Sequence, residues 1–494
     1  KLSQYQSLFA ENQLLLSVSD RNFDSRRECI LDLVLKGDKM IREKLFEWKN
    51  WREMIHTTWN PQDPGVIRIH MIPPRFHLFR FIPSVVILNG NQILPLNESW
   101  AILLTVFIQE LNAWGDGEMA AEQGRELLEN TAVKMQKIFP HVSSERFMED
   151  LEVIAGVFED IARGRKPAAE IGQMSIGEYA PYMTAPHRMD LMVSAMEKDG
   201  KWNCNQRCLH CYAAGQNYAN GKELDTQSWK KIIERCRKNR IPQLTFTGGE
   251  PTMREDLCEL IWEARWFITR LNTNGVKLTR EYCEKLRKAE LDNVQITFYS
   301  QDARIHNYLT GAAHFEKTVE GIKNALDAGL SVNINTPLCS VNADYVETLK
   351  FLKSLGVTYV TCSGLIPAGN AVTENSKAVR LEREEILQTV SEAAAYCAQQ
   401  GMELSFTSPG WIKEEDLRKL GLDVPSCGAA LSNMAVTPDG SVVACQSCLD
   451  RESFGNLLTT DWKKIWNHPD CRRYRAFSAE MKQECPLGRE KSHV

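Results

Sequence analysis

From about His187 to Thr407 the sequence alternates short β-rich runs with amphipathic helical runs. The β-rich runs are MDLMVSA, QLTFT, FITRL, NVQITFY, SVNINTP, VTYVTCS and MELSF. Between them stand runs such as WKKIIERCRKNR, EYCEKLRKAE and FEKTVEGIKNALDAG, with apolar residues at helical spacing. Strands alternating with helices make βαβ units around a parallel sheet. Six or seven such units predict a full or partial β/α barrel rather than an open doubly wound sheet. In barrels of this type chemistry gathers at the C-terminal ends of the strands.

The loop after the first predicted strand reads WNCNQRCLHCYAAG and places Cys204, Cys208 and Cys211 within eight residues. Thiolates select zinc or iron–sulfur clusters. A closed zinc site wants four ligands, usually in paired knuckles, and a fourth is missing locally. Three cysteines on a four-iron cluster would leave one iron open to an external ligand. A zinc knuckle with a remote fourth ligand is the alternative.

The Cys-x3-Cys-x-aromatic-Cys spacing, with His210 in the aromatic position, resembles the radical SAM superfamily. The resemblance implies that the open iron chelates S-adenosylmethionine. One electron then cleaves the sulfonium, and the 5′-deoxyadenosyl radical abstracts a hydrogen atom from a substrate. QLTFTGGEP, ending in Gly248, Gly249, Glu250 and Pro251, resembles the family's GGEP element near the methionine ammonium. Its glycines let backbone approach a ligand closely. LNTNG, with Asn274, resembles the turn ending the third strand, and a plain Asn-Gly turn is the alternative. ITFYSQDARIHNYLTG resembles the segment that brings Ser300 or Asp302 near the ligand. Asn335 in NINTP is a candidate for the carboxylate or ribose, and GLIPAGNA, with Ile366, resembles the loop that receives the adenine. The resemblance spans about residues 187 to 407.

Beyond Thr407 lie five more cysteines, Cys427, Cys445, Cys448, Cys471 and Cys485. CGAALSNMAVTPDGSVVAC reads as Cys427-x12-Gly440-x4-Cys445, with a hairpin turning at Asp439-Gly440. It resembles the opening of the SPASM or shorter twitch extension of radical SAM enzymes, which houses auxiliary [4Fe–4S] clusters. The Cys-x2-Cys-x5-Cys-x3-Cys run of a full SPASM domain is missing from the sequence. One auxiliary cluster is therefore expected, with Cys427, Cys445 and Cys485 as ligands. Cys448 or Cys471 is the fourth, or that iron is open to substrate; structural zinc is the alternative.

The first part of the chain, to about Pro186, reads as helices around a small hairpin at Asn89-Gly90, with Asn97 or Ser99 capping the helix that follows. It weakly resembles the winged-helix peptide-recognition element fused to enzymes that modify ribosomally made peptides, in which a leader peptide adds as a strand. A helical capping domain is the alternative. The expected domains are thus 1–186, 187–407 and 408–494. They comprise an N-terminal winged-helix-like or helical domain, a partial (β/α)6 TIM-like barrel, and a SPASM/twitch-like cluster domain.

Other features bound the function. The chain has 494 residues and a net charge of −5, so no global basic field argues for nucleic acid. The run CRRYR, Cys471 to Arg475, reads as a solvated helix face. No apolar run approaches the ~18 residues of a membrane helix, and KLSQYQSLFAENQ lacks a signal-peptide core. A reducing cytoplasm is the expected compartment, which argues against disulfides among fifteen cysteines. Cys29, Cys236, Cys258, Cys283 and Cys397 read as small buried hydrophobes.

The function expected is therefore a radical SAM enzyme acting on a precursor peptide, giving an oxidative crosslink or an epimerised residue. Flavodoxin or ferredoxin is the expected reductant. Cys339 and Cys362, near the active face, are candidate hydrogen-atom donors against a packing role, and Tyr212 beside the cluster loop is a weaker catalytic candidate. A twitch-type dehydrogenase acting on a small molecule is the alternative enzyme. A non-catalytic cluster or zinc scaffold is the alternative of another class.

Overall fold

The computed structural model describes residues 54–59, 67–72, 75–77, 80–82, 84–89, 92–114, 121–140, 142–162, 165, 167, 174–481 and 484–488. Cys29 and Gly90 lie outside them. The chain forms two compact units, Lys1–Tyr182 and Met183–Val494.

In the first unit four strands form an antiparallel sheet in the order β1 (Ile55–Trp59), β2 (Ile67–Ile72), β5 (Ser84–Leu88), β6 (Gln92–Leu96). The short strands β3 (Arg75–His77) and β4 (Arg80–Ile82) pair separately. The expected hairpin is β5–β6, with Asn89 in the left-handed region at its turn. Three helices follow, α1 (Glu98–Trp114), α2 (Ala121–Ile138) and α3 (Ser144–Ala162). Asn97 caps α1, its Oδ1 accepting the Trp100 N–H at 2.8 Å. Sheet and helices share one core, in which Met71, Val86, Leu88 and Leu94 meet Leu103, Ile108, Ile154 and Phe158. On the far edge of β6, the Ile93 carbonyl accepts the Met174 N–H at 2.9 Å.

The second unit is built on seven parallel strands whose order in the sheet is their order in the chain. They are β7 (Arg188–Ser194), β10 (Gln243–Gly248), β11 (Ile268–Thr273), β12 (Asn293–Thr297), β13 (Ser331–Pro337), β14 (Tyr359–Ser363) and β15 (Glu403–Phe406). Between β7 and β10 a ribbon of β8 (Glu197–Lys198) and β9 (Lys201–Trp202) leads into the cysteine loop. A doubly wound sheet would reverse its order at a switch point; this one does not. It is the α/β partial barrel expected. One strand face, including Leu244, Phe246, Leu271, Val294, Ile296, Ile334 and Val360, is fully buried. The other face is polar.

The C-terminal segment does more than pack on the barrel. Strand β16 (Asn433–Val436) joins β7 in parallel, and β17 (Val442–Val443) closes a hairpin on it. The expected Asp439-Gly440 turn connects the two, with Gly440 at positive φ. The sheet thus has nine strands, ending in β15 on one side and β17 on the other. In the run CRRYR, Arg472 and Arg473 are exposed, whereas Arg475 stacks on Trp466 with its guanidinium carbon 3.9 Å from the ring centre.

Candidate functional site

The loop carrying Cys204, Cys208 and Cys211 is held from several strands at once. The Arg207 and Leu209 N–H groups donate to the Thr310 and Leu309 carbonyls, both at 2.9 Å, at the end of the helix Ala303–Thr310. Asn370, after β14, donates its backbone N–H to the Cys211 carbonyl at 2.9 Å and its side chain to the Cys208 carbonyl at 3.2 Å. Ser376 Oγ donates to the Leu209 carbonyl at 2.8 Å. Gly369 sits so close that a Cβ there would lie 2.3 Å from the Tyr212 carbonyl oxygen, and its φ is +55°. Backbone conformation and space both demand glycine.

The GGEP element is shaped by the same crowding. A Cβ on Gly248 would meet the Ser194 carbonyl oxygen at 2.2 Å, and one on Gly249 the Ala195 carbonyl oxygen at 2.8 Å. Glu250 is 2% exposed, and neither of its oxygens is free. Oε1 accepts from the Thr252 N–H, the Thr252 hydroxyl and, at 2.6 Å, the Thr273 hydroxyl; Oε2 accepts the Asn274 N–H at 2.8 Å. Burial raises its pKa against these donors. The Glu250 side chain thus braces the turn at Asn274, and Pro251 is buried beside it. Asn274 donates in turn to Asn205 Oδ1 at 2.6 Å. One chain of hydrogen bonds therefore runs from the GGEP element through the LNTNG turn to the cysteine loop.

The three thiols share one buried environment. Burial, then the Glu250 charge, push Cys204 up to about 12. Burial, then Cys211 and Cys204, hold Cys208 well above an ordinary thiol, and burial raises Cys211. Among the described residues only the Arg207 cation offsets this, at Cys204, so the three thiols are poor thiolates; a bound metal group would supply the missing compensation. Their donor chemistry fits an iron–sulfur cluster. His210 is 6% exposed, edge-on to Tyr299 at 5.2 Å, with neither ring nitrogen hydrogen-bonded; burial lowers its pKa to about 4, so it is neutral.

The remaining candidates are spread around the rim. Ser300 is buried, its Oγ accepting the Asp302 N–H at 3.1 Å. The Asp302 carboxylate caps the helix Ala303–Thr310 and pairs with Arg304 at 2.9 Å, which lowers its pKa to about 2. Asn335 Oδ1 accepts from the Thr361 hydroxyl at 3.0 Å. Ile366 is half-buried, its carbonyl accepting the Ala368 N–H. Both cysteine donor candidates are buried. Cys362 shares the helix-facing side of β14 with Val360, where Cys397 is its electrostatic neighbour. A strand period of two puts it opposite the lumen. Cys339 is fully buried in an apolar cluster with Tyr299, Leu309 and Leu365.

Four of the five C-terminal cysteines converge. Cys448 interacts with Cys445, Cys485 and Cys427, and Cys445 and Cys448 are hydrogen-bonded through sulfur, which holds Cys445 down to about 7. Cys471 stays apart. It is fully buried, accepts from Arg475 Nη1 at 3.3 Å, and is pushed up to about 11 by burial. Among the described residues no three His, Cys, Asp or Glu groups close around one ion. Four thiols brought together suit a four-iron cluster, one thiolate to each iron.

The two cysteine regions touch. Gln216, 4% exposed, donates to the Tyr212 carbonyl and, at 3.2 Å, to the Ser447 carbonyl, while its Oε1 accepts the Leu449 N–H at 3.0 Å. The Tyr212 hydroxyl lies 3.2 Å from Gln446 Oε1 and donates to it. The Tyr218 N–H donates to the Leu449 carbonyl, and the Asn217 N–H to Asp450. Tyr212 is thus a structural bridge. Gln216, Asn205, Thr273, Asn370 and Ser376 escaped the sequence reading, because isolated polar residues in loops carry no periodic signal.

A family model described as the radical SAM superfamily matches residues 203–352, and a SPASM model, an iron–sulfur cluster-binding domain, matches 427–487. The chain carries a radical SAM domain and a SPASM domain. A radical SAM [4Fe–4S] cluster, S-adenosylmethionine and an auxiliary cluster are the cofactors this pair of domains implies. Similar solved structures include Streptococcus suis SuiB bound to precursor peptide SuiA. That chain is 14% identical at TM-score 0.53, and the likeness covers 80% of this chain and 88% of that one. SuiB alone is 15% identical at TM-score 0.53, covering 82% and 89%. SuiB bound to S-adenosylmethionine is 14% identical at TM-score 0.53, covering 80% and 87%. The likeness is one of fold, and it covers more of the radical SAM chain than its second unit contains. No helix among the described residues is long and apolar enough to cross a membrane.

Proposed function

We propose that this radical SAM enzyme installs an oxidative crosslink, a thioether or a carbon–carbon bond, in a ribosomally made precursor peptide. The observation that carries the reading is the first unit. A four-stranded antiparallel sheet backed by three helices precedes the barrel, and the fold likeness that extends into it is to a protein whose structure holds a precursor peptide. An extended peptide adds to such a sheet at a strand edge. The domain boundaries at residues 186 and 407 remain part of this proposal.

Cys204, Cys208 and Cys211 would hold the cluster that binds S-adenosylmethionine, and Cys427, Cys445, Cys448 and Cys485 the auxiliary cluster. When bound, the first cluster and its ligand supply one-electron cleavage of the sulfonium and hydrogen-atom abstraction. The chain's own residues then do the positioning. Gly248 and Gly249 let backbone come close, Glu250 and Asn274 fix the turn above the lumen, and neutral His210 with Tyr299 keeps water from the loop's inner side. Four thiols on the auxiliary group leave no iron for substrate sulfur. That favours an electron acceptor, and so an oxidation. The burial of Cys339 and the helix-facing side of Cys362 disfavour epimerisation, which needs a hydrogen donor in contact with the substrate. A flavodoxin or ferredoxin would deliver the electron.

The test is anaerobic incubation of the full chain with S-adenosylmethionine, reductant and candidate precursor peptides, read by mass spectrometry. Formation of 5′-deoxyadenosine with loss of two hydrogens from the peptide supports the crosslink. An unchanged mass with deuterium taken up from solvent would mean epimerisation. Turnover of a small molecule with no peptide bound would overturn the reading.

A further inference from the structure

The polar face of the barrel holds a cation, Arg270, that pairs with no carboxylate among the described residues. Arg270 lies on β11, yet the groups acting on it electrostatically are Arg188 and Asp190 on β7 and Tyr359 on β14. Neither strand neighbours β11 in the sheet. Arg270 therefore shares the lumen with charged and polar groups of β7 and β14. Asp190 is already taken, since Arg188 Nε lies 2.9 Å from its Oδ1. Among the described residues Arg270 pairs with no carboxylate, and its buried Nε has no hydrogen-bond partner. Two guanidinium groups thus face one carboxylate.

Orphan polar groups surround it. Thr245, beside Arg270 in the register of β10 and β11, is 1% exposed, with an unpartnered hydroxyl. Asn272, two residues on and on the same face, has an unpartnered Oδ1. In the next strands Asn272 stands opposite Gln295, and Gln295 opposite Asn333. Asn333 is 1% exposed and bonds through neither its oxygen nor its nitrogen. Gln295 itself reaches Thr361, two strands away, at 3.4 Å, so this row faces inward. Arg270 is half-buried, but its Nε is buried like the orphan atoms around it, and a ligand that matches such groups relieves them. The donors here are a guanidinium, a hydroxyl and an amide, which suit a carboxylate. The acceptors, Oδ1 of Asn272 and of Asn333, suit the N–H of a neighbouring peptide group. Arg270 is four residues before Asn274, about 13 Å down the strand, so the group bound lies beneath the turns near the cysteine loop.

We propose that Arg270, with Thr245, Asn272 and Asn333, forms a carboxylate-recognition subsite in the barrel lumen that takes an acidic residue of the substrate. Peptide as the source of that residue rests on the function proposed above; the anion site itself does not.

The experiment is thermal unfolding of the full chain against rising acetate at constant ionic strength, with chloride as balance. Wild type should show a saturable rise in melting temperature with acetate, and R270M should show none. Without acetate R270M should melt close to wild type, because Arg270 is half-buried and makes no ion pair among the described residues that the substitution would break. N333L, a second variant, should keep the fold and weaken the acetate response. No acetate effect in wild type, or the same rise in R270M, would sink the proposal and leave ordered water as the partner of these groups. Weaker S-adenosylmethionine binding by R270M in equilibrium dialysis would also overturn it, by assigning the carboxylate to that cofactor. A normal acetate response with no peptide bound would remove the peptide reading and leave the subsite standing.

Discussion

Gly248 and Glu250 show how little freedom the site leaves to single residues. Replacing Gly248 with Ala would drive a methyl group into the Ser194 carbonyl at positive φ. A loss of about 2–4 kcal/mol in denaturant unfolding is expected, the sum of backbone strain and overpacking. Glu250→Gln keeps the shape but turns an NH2 group toward donors. About 1–3 kcal/mol should be lost, with the turn at Asn274 loosening in hydrogen exchange. The cysteines separate by the same reasoning. C448A should lose the auxiliary iron, whereas C471A should keep it, because Cys471 answers to Arg475 and not to the other thiols; iron and labile sulfide per chain distinguish the two. The cysteine spacings and the GGEP glycines were legible because close thiols and paired glycines are rare and chemically specific. Cys362 was not, since only the phase of its strand decides which side it faces. Arg270 and Asn333 did carry a signal, a charge and an amide inside β-rich runs, and its meaning needed the cross-lumen neighbours.

At the scale of elements, the loop 204–215 and the loop 445–450 act as one piece through Gln216. Gln216→Leu would leave the Ser447 carbonyl and the Leu449 N–H buried without partners. A loss of about 2–4 kcal/mol is expected, with faster hydrogen exchange confined to those two loops. If exchange rose evenly through the barrel, the tie would be ordinary packing. Strand and helix positions in the barrel followed from alternation of β-rich and amphipathic runs, and the Asp439-Gly440 turn from its dipeptide. The addition of β16 to β7 could not be foreseen, because a short run such as NMAV has no feature that names its partner.

For the whole molecule, iron content is the direct measure. Anaerobically prepared protein should carry about eight irons, and a Cys204/Cys208/Cys211 triple Ala variant about four, as two four-iron clusters require. S-adenosylmethionine cleavage should vanish in that variant while the auxiliary iron remains. About four irons in wild type, all lost in the variant, would reduce the C-terminal thiols to another role.

The pairing of β7 with β16 also sets an order of events during synthesis. Strand β7 emerges among the first parts of its unit, and β16 among the last. At typical translation speeds roughly 10–50 s separate them. Throughout that interval one edge of β7 has no partner, and the loop at its end lacks the segment that later covers Tyr212 and Gln216. The nascent chain therefore leaves the thiols of Cys204, Cys208 and Cys211 open to cluster loading before the C-terminal hairpin seals them in.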